Sequence, residues 1–215
     1  MMPYPLSKVG YKQIILPDGS KVRLNAASSL SYSRTFDTSD NRIVNLNGEA
    51  YFDVVADNNR PFIVRTKLQD VEVLGTKFLV ESYNEEPEVK TSLYSGKIKI
   101  KRVNAEDVVL SPGQQSLVSS FAFRIIQLSD SDVSKDLERF DYIDFKGETI
   151  QQVLRKVARW YDVQIKYDGP VSEYKISGSI SKDIELPKVI EMLNILFPNE
   201  IIKLKGAVVT VKLRK

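Results

Sequence analysis

The sequence RIVNLNGEAYFDV, from Arg42 to Val54, places a polar Gly-Glu pair inside an otherwise apolar ribbon. Apolar and polar residues alternate on both sides of this pair, which is the pattern of half-buried β-strands. A glycine between two such runs favours a turn or a strand transition, because glycine adopts positive φ angles without a steric cost. We therefore predict a β-hairpin with Gly48 at its transition. The Glu49 carboxylate is a candidate for catalysis, for ligand binding or for a purely structural role.

Residues 11–128 carry the signals of many short strands. Apolar residues alternate with polar ones, as in Val71, Glu72 and Val73, and turn signals such as PDGS at residues 17–20 separate the runs. Short strands at this spacing predict an all-β domain. The expected architecture is a solenoid-like roll, with a sandwich or jelly roll as the alternative, because periodicity alone does not distinguish them.

A different pattern begins after residue 128. Apolar residues from Ile150 to Tyr161 recur at the helical spacing, and Thr149 with Gln152 predicts a capping box at the helix start. A second helical stripe has Pro187 as its first residue and stops at Pro198. Short strands before and after each helix complete a predicted small module of two tandem β-α-β units.

These two patterns divide the chain into two predicted domains. The first is the all-β domain 1–128, and the second is the α/β domain 129–215. The polar segment LSDSDVSKDLERF places the boundary at about 129–141.

The composition excludes several classes of protein. With 31 basic and 28 acidic residues, a net charge of +3, the chain lacks the strongly basic surface typical of nucleic-acid binders. It has no histidine and no cysteine, which removes disulfides, Cys/His metal sites and imidazole bases. Glu49 and Asp53 are four residues apart in a strand, roughly 13 Å, which is too far for a glycosidase pair. We therefore expect neither enzyme activity nor a metal or other cofactor.

Six blocks in the all-β part resemble the successive signatures of FecR-type anti-sigma factors. They are LPDGSKVRLNAASSLSYSRTF, RIVNLNGEAYFDV, RPFIVRT, VEVLGTKFLV, SLYSGKIKI and LSPGQQ, in family order from about residue 12 to residue 115. The resemblance implies that ten residues are structural motif positions: Asp18, Gly19, Asn25, Gly48, Glu49, Gly75, Thr76, Gly96, Pro112 and Gly113.

The second part is similar to the C-terminal domain of the Bacteroidetes members of this family, with RWYDV at Arg159–Val163. That domain resembles the short N-terminal signalling domain of secretins and TonB-dependent transducers. Its paired β-α-β plan is also the plan that the residue pattern predicts.

The resemblance implies a signal relay rather than an enzyme. In this relay, the N-terminal signalling domain of a TonB-dependent outer-membrane transporter contacts the periplasmic part of the anti-sigma factor. The anti-sigma factor then transmits the signal through the inner membrane to an ECF-type sigma factor.

Family members begin with a cytoplasmic sigma-binding segment and one membrane span, and neither is recognised in this sequence. Its apolar runs are all shorter than the roughly 18 residues that a membrane span needs. The chain is therefore expected to be the periplasmic portion of an inner-membrane-anchored protein. Membrane contact is expected only through the missing helix, and no nucleic-acid partner is expected.

The partner surface is predicted on the C-terminal domain. The last strand is expected at a sheet edge, where it either accepts a partner strand by β-augmentation or is a capped and solvated edge. Trp160, the only tryptophan, lies at the margin of the apolar stripe, where it either seals the core or belongs to a contact surface. The candidate contact residues are Arg159, Trp160, Ala207, Val208, Val209, Thr210, Val211, Lys212 and Leu213.

A carbohydrate- or envelope-binding β-domain is the alternative function. It requires an aromatic platform, for which Tyr51, Phe52, Tyr83 and Tyr94 are the candidates. Their alternate positions also suit core packing.

Glu49 receives a structural role from the resemblance. Its carboxylate is expected to accept hydrogen bonds from backbone donors or from Arg42, Arg60 or Arg65, because a buried carboxylate without partners costs several kcal/mol. Glu49→Gln is therefore expected to destabilise the all-β domain.

Overall fold

The structure, a computed structural model, describes residues 2–5, 10–36, 38–129 and 140–214. These residues form two compact units, one on each side of the segment 130–139. We call them the N-terminal unit and the C-terminal unit. Each has a hydrophobic core of its own. Most of the boundary region expected at about 129–141 lies outside the described residues.

Thirteen strands make up the N-terminal unit, as far as the structure describes it. They are β1 (Met2–Pro5), β2 (Lys12–Ile15), β3 (Lys21–Leu24), β4 (Ser29–Tyr32), β5 (Arg42–Asp53), β6 (Phe62–Arg65), β7 (Asp70–Val73), β8 (Lys77–Ser82), β9 (Glu88–Ser95), β10 (Ile98–Lys101), β11 (Val108–Leu110), β12 (Gln114–Ser119) and β13 (Phe123–Gln127).

These strands form one curled sheet, a half-barrel. Its main path runs β11-β10-β7-β6-β5-β8-β9-β12-β13; in addition, β3 and β4 pair with β5, β2 pairs with β3, and β1 pairs with β4. The mainly β character is confirmed. The solenoid-like roll is not confirmed, because the strands belong to a single sheet that curls around one core.

Strand β5 organises this sheet. Its first part pairs with β4 (antiparallel) and β6 (parallel), and its second part pairs with β3 and β8 (both antiparallel). The hairpin predicted for Arg42–Val54 is therefore wrong, because the chain continues through Gly48 as one strand and changes partners there. Gly48 has a φ of 113°, and a Cβ atom on it would lie 2.6 Å from Ser28 Cα. The glycine thus permits a strand transition and a close approach, rather than a reversal of the chain.

Alternate side chains of the curled sheet fill the core of the N-terminal unit. Phe52 stacks on Phe78 with ring centroids 5.0 Å apart, and Phe62 meets Phe52 edge-on at 6.0 Å. All three rings are fully buried. Burial of such apolar surface is the main stabilising contribution to a fold of this kind.

The C-terminal unit combines strands with two helices in the described residues. Its elements are β14 (Tyr142–Thr149), α1 (Ile150–Tyr161), β15 (Gln164–Tyr167), β16 (Lys175–Ser181), α2 (Leu186–Leu196), β17 (Glu200–Lys205) and β18 (Val208–Leu213). β14 pairs with β16, while β15, β18 and β17 form a second sheet in that order. The predicted order of strands and helices is found. The tandem β-α-β units are not confirmed, because the strands that flank each helix belong to different sheets.

Both helices were predictable from local signals. α1 starts with the predicted capping box, in which Gln152 Oε1 accepts a hydrogen bond from the Thr149 N–H at 2.9 Å. α2 begins one residue earlier than predicted, at Leu186, so Pro187 is its second residue. Among the described residues, no helix is both long enough and apolar enough to cross a membrane.

Candidate functional site

Strand β18, the predicted partner strand, lies at the centre of its sheet. β15 pairs with it in parallel on one side and β17 pairs with it antiparallel on the other. The Ala207 carbonyl, just before β18, accepts a hydrogen bond from Gln164 N–H at 2.9 Å. The open edge predicted at Ala207–Leu213 is therefore wrong. Alternation indicates that a strand is half-buried, but it does not indicate the position of that strand in the sheet.

β15 and β17 are the outer strands of this sheet in the described part of the chain. β17 exposes Lys203 and Lys205, and lysines on an edge strand oppose pairing with another chain. β15 exposes Gln164, Lys166 and Tyr167. The β15 edge, with one lysine, is thus less protected against an added strand.

Trp160 lies at the end of α1 and packs against the core of the C-terminal unit. Its Nε1–H donates to the Lys182 carbonyl at 3.3 Å, and Lys182 Nζ lies 4.5 Å from the centroid of the indole ring. The same Nζ donates to the Phe140 carbonyl at 3.0 Å. The tryptophan therefore ties α1 to the segment after β16, and the half-buried Arg159 precedes it in the last turn of the helix.

Asp18 holds the turn between β2 and β3. One carboxylate oxygen accepts the Ser20 N–H at 2.9 Å, and the other accepts the Ser20 hydroxyl at 2.7 Å and Arg42 Nη1 at 2.8 Å. Gly19 lies inside this turn with a φ of 84°. The PDGS turn is thus bonded to β5, which is a tertiary contact that the local sequence signal did not reveal.

Gly75 and Gly96 lie where the backbone approaches its neighbours closely. A Cβ atom on Gly75 would lie 2.6 Å from Ala56 Cα, and one on Gly96 would lie 2.8 Å from the Gly75 carbonyl oxygen. The buried Thr76 donates its hydroxyl to the Lys97 carbonyl at 3.1 Å. These three motif residues therefore bring the β7–β8 turn into contact with the β9–β10 turn.

Three further motif residues, Asn25, Pro112 and Gly113, lie in or beside turns. Asn25 Oδ1 accepts the Ala26 N–H at 2.9 Å, just after β3. Pro112 is exposed in the turn between β11 and β12. Gly113, the next residue, donates its N–H to the Leu93 carbonyl at 2.9 Å.

Glu49 is buried, with 7% of its surface exposed. Its backbone N–H donates to Ser28 Oγ at 2.9 Å, and its carbonyl accepts the Asn25 N–H at 2.9 Å. The three arginines named as carboxylate partners bind other groups: Arg42 binds Asp18, Arg60 binds the Phe36 carbonyl, and Arg65 binds Asp70. The effect of Glu49→Gln stays a prediction.

The four aromatic residues considered for a sugar platform do not share one surface. Phe52 is fully buried, and Tyr83 is 5% exposed with its hydroxyl donating to the Ala26 carbonyl. Tyr51 and Tyr94 are half-buried, with ring centroids 5.9 Å apart. Burial raises the pKa of the Tyr51 phenol, Asp53 adds to the rise, and Arg23 opposes it. Only two of these four rings are therefore partly exposed, so the four do not form the platform that this alternative requires.

Two family models match the sequence, one in each unit. The model for "FecR protein" matches residues 7–99, and the model for "FecR, C-terminal" matches residues 142–211. The chain belongs to the FecR-type anti-sigma factors.

Solved structures agree with this FecR assignment. Two crystal structures of a candidate anti-sigma factor from Parabacteroides distasonis ATCC 8503, at 1.65 and 2.50 Å resolution, are similar to this chain with a TM-score of 0.87 and 27% sequence identity. The similarity covers 100% of this chain and 100% and 99% of those chains. A search of curated proteins gives no significant match.

Membership of the FecR family gives the chain a regulatory role and implies interaction with a sigma factor. FecR-type anti-sigma factors are typically membrane-anchored proteins with a periplasmic domain. The likeness of the C-terminal unit to the short signalling domain of secretins stays a prediction.

Proposed function

We propose that this chain is the periplasmic portion of a FecR-type anti-sigma factor anchored in the inner membrane. It receives a signal from the N-terminal signalling domain of a TonB-dependent outer-membrane transporter and transmits it to an ECF-type sigma factor. The observation that supports the proposal is the presence of both FecR modules in one chain, each matched within its own unit. The role requires binding and no catalysis.

The C-terminal unit is the proposed receiver of the signal. Arg159 and Trp160 lie at the end of α1, and the outer edge of β15, which pairs with no other strand among the described residues, offers its backbone groups to a partner strand. Residues 207–213 would then act indirectly, because β18 supports β15 from the centre of the sheet.

The relay operates by differential binding. A partner shifts an equilibrium between two states only by its preference for one of them. The signalling domain therefore has to bind one state of this chain more tightly than the other, and the size of that preference limits the response of the sigma factor.

Isothermal titration calorimetry tests the relay. The full chain is titrated with the isolated signalling domain of the transporter that is encoded beside its gene, and we expect saturable binding. Arg159→Glu should weaken this binding at least tenfold, because it reverses a charge at the proposed surface. Lys21→Glu, an equal charge change at an exposed position of strand β3, is the matched control and should leave the affinity unchanged.

The outcomes separate the partner from the surface. No heat of binding, with both proteins folded, contradicts the transporter as the partner. A second outcome is that Arg159→Glu leaves the affinity unchanged and Lys21→Glu weakens it. The transporter would then still be the partner, but the contact would lie on the N-terminal unit.

A further inference from the structure

A groove of about 740 Å³ opens within the N-terminal unit. Its walls are the β6–β7 turn with the first residue of β7 (66–70), the end of β10 with the turn after it (101–103 and 105), and the β12–β13 turn with the strand ends beside it (118–123). Ligand sites in proteins commonly have volumes of roughly 300–1,000 Å³. Every wall residue that the structure describes belongs to the N-terminal unit.

Two large apolar side chains of the groove project into solvent. Phe121 is 99% exposed and Val103 is 89% exposed. Two hydrogen bonds close the turn that carries Phe121: Ser119 N–H donates to the Ala122 carbonyl at 2.9 Å, and Ser119 Oγ accepts the Ala122 N–H at 3.0 Å. A closed turn has less backbone conformational entropy to lose on binding, which favours a contact role for the phenylalanine that it presents.

Two buried polar atoms of the groove residues have no partner among the described residues. Gln69, 4% exposed, donates its Nε2 to Thr91 Oγ1 at 2.7 Å, but its Oε1 accepts nothing there. Arg102 stacks on Phe123 with its Cζ 4.0 Å from the ring centroid, and its Nε is also without an acceptor. Buried polar atoms in native proteins are almost always hydrogen-bonded. Both atoms have almost no accessible surface, so a ligand bonds to them only after a rotation of the two side chains. A peptide backbone then has both complementary groups, an N–H for Gln69 and a carbonyl for Arg102.

The charged side chains of the groove favour an acidic ligand. Three cations line it, Lys67, Lys101 and Arg102, against one carboxylate, Asp70. Lys101 binds Glu72 at 2.7 Å. Arg102 has no carboxylate partner in the described part of the chain and reaches only the Glu106 carbonyl, at 3.4 Å. A carboxylate on a ligand would give Arg102 a charge-assisted hydrogen-bond partner.

The groove also adjoins an edge strand of the sheet, as far as the structure describes that sheet. Phe123 lines the groove and is the first residue of β13, which pairs only with β12 in the described residues. Ile125 and Ile126 of β13 are 39% and 41% exposed. An exposed apolar edge strand is a template for an added strand.

We propose that this groove and the β13 edge bind an extended segment of a partner protein. The segment supplies a carboxylate to Arg102, backbone groups to Gln69 and β13, and an apolar side chain to Phe121 and Val103. This interaction belongs to the N-terminal unit and does not depend on the relay proposed above.

An NMR titration of the full chain tests the proposal with two synthetic peptides. One is acetyl-Leu-Asp-Val-Glu-Val-Leu-amide, and the other is its neutral analogue with Asn and Gln. We expect saturable shifts of the Gln69 side-chain amide and of the Phe121 and Val103 backbone resonances, with at least fivefold weaker binding of the neutral peptide. Arg102→Gln should remove the difference between the peptides. Phe121→Ser should weaken both, whereas Ile195→Ser, 78% exposed in the C-terminal unit, should weaken neither.

Three results overturn the proposal. The first is the absence of saturable shifts at Gln69 up to millimolar peptide, and the second is equal affinity for the acidic and neutral peptides. The third is a set of β13 shifts that grow with protein concentration in the absence of peptide, which would identify a second copy of this chain as the occupant.

Discussion

Arg42 Nη1 lies 2.8 Å from Asp18 Oδ2, in an ion pair whose side chains are 1% and 7% exposed. The guanidinium also donates to the Val55 carbonyl at 2.8 Å and to the Arg60 carbonyl at 2.9 Å. Arg42 thus joins the β2–β3 turn, the start of β5 and the segment between β5 and β6. Arg42 is thus a charged residue at a buried position of the largely apolar strand β5.

Asp18→Ala should strongly destabilise the N-terminal unit. The substitution leaves a buried guanidinium without its counter-charge, which costs about 3–5 kcal/mol. Asp53→Ala is the control, because its pair with Lys77 spans 3.4 Å between side chains that are 40% and 53% exposed. Such an exposed pair contributes less than about 1 kcal/mol. Urea unfolding measures both, and equal losses would contradict a structural role for the buried pair.

Gly48→Ala should destabilise the same unit by more than Gly19→Ala does. Both residues have positive φ, 113° and 84°, so both substitutions strain the backbone by about 1–2 kcal/mol. At Gly48 the new Cβ also meets Ser28 Cα at 2.6 Å, whereas at Gly19 its nearest neighbour is Val55 Cγ2 at 3.6 Å. The clash should add about 1–3 kcal/mol. Thermal unfolding of the two variants measures the difference, and matching melting temperatures would refute the close approach of β5 to Ser28.

Glu72→Gln should change the pH dependence of stability. Burial acts to raise the pKa of the Glu72 carboxyl, but hydrogen bonds and charges from Lys101 and Lys99 outweigh it and hold the pKa below its ordinary value of 4.5. A carboxylate with a lowered pKa stabilises the fold at pH values above that ordinary value, and the contribution disappears as the pH falls through the folded-state pKa. The substitution should therefore remove up to about 1 kcal/mol at pH 7 and flatten the loss of stability below pH 4.5.

Chemical denaturation at a series of pH values between 7 and about 2 measures this effect. Glu106→Gln, an exposed carboxylate in the turn after β10, is the matched control. If Glu72→Gln and the control give parallel pH profiles, the Glu72–Lys101 contact does not contribute to stability.

Asn194→Ala should destabilise the C-terminal unit. Asn194 of α2 donates its Nδ2 to the Ile190 and Ile202 carbonyls and accepts the Ile202 N–H, each at 2.9 Å. Ile202 is 3% exposed, so its backbone groups lose their partner without gaining water. The expected loss is about 2–4 kcal/mol. Asn199→Ala, at an exposed position before β17, is the control, and calorimetric unfolding that shows similar losses for both would rule out the clamp between α2 and β17.

Local signals predicted much of the fold from the sequence. The helical stripe from Ile150 to Val157 is buried, and the Thr149–Gln152 capping box is present. The alternation of Val71, Glu72 and Val73 appears as buried, half-buried and buried positions of β7. These features depend on residues only a few positions apart in the sequence, so they can be predicted without knowing which distant segments contact each other.

Contacts between residues that are distant in the sequence were harder to predict. Asn194 interrupts the apolar pattern of α2, which is a signal, but its partner Ile202 lies on another element. Nothing in the sequence around Phe121 or Val103 indicates that both border one groove with Gln69, because three separate turns bring them together.

The sequence by itself determined the two patterns of this chain, strands before residue 128 and mixed helices and strands after it, because strand and helix periods are local properties. Tertiary structure alone decided that β5 continues through Gly48, that β18 is a central strand and that Arg42 binds Asp18. Each of these depends on which distant segments meet. A strand exposes the same backbone hydrogen-bonding groups on both edges, so its partners are selected by side-chain packing and by close approaches elsewhere in the fold.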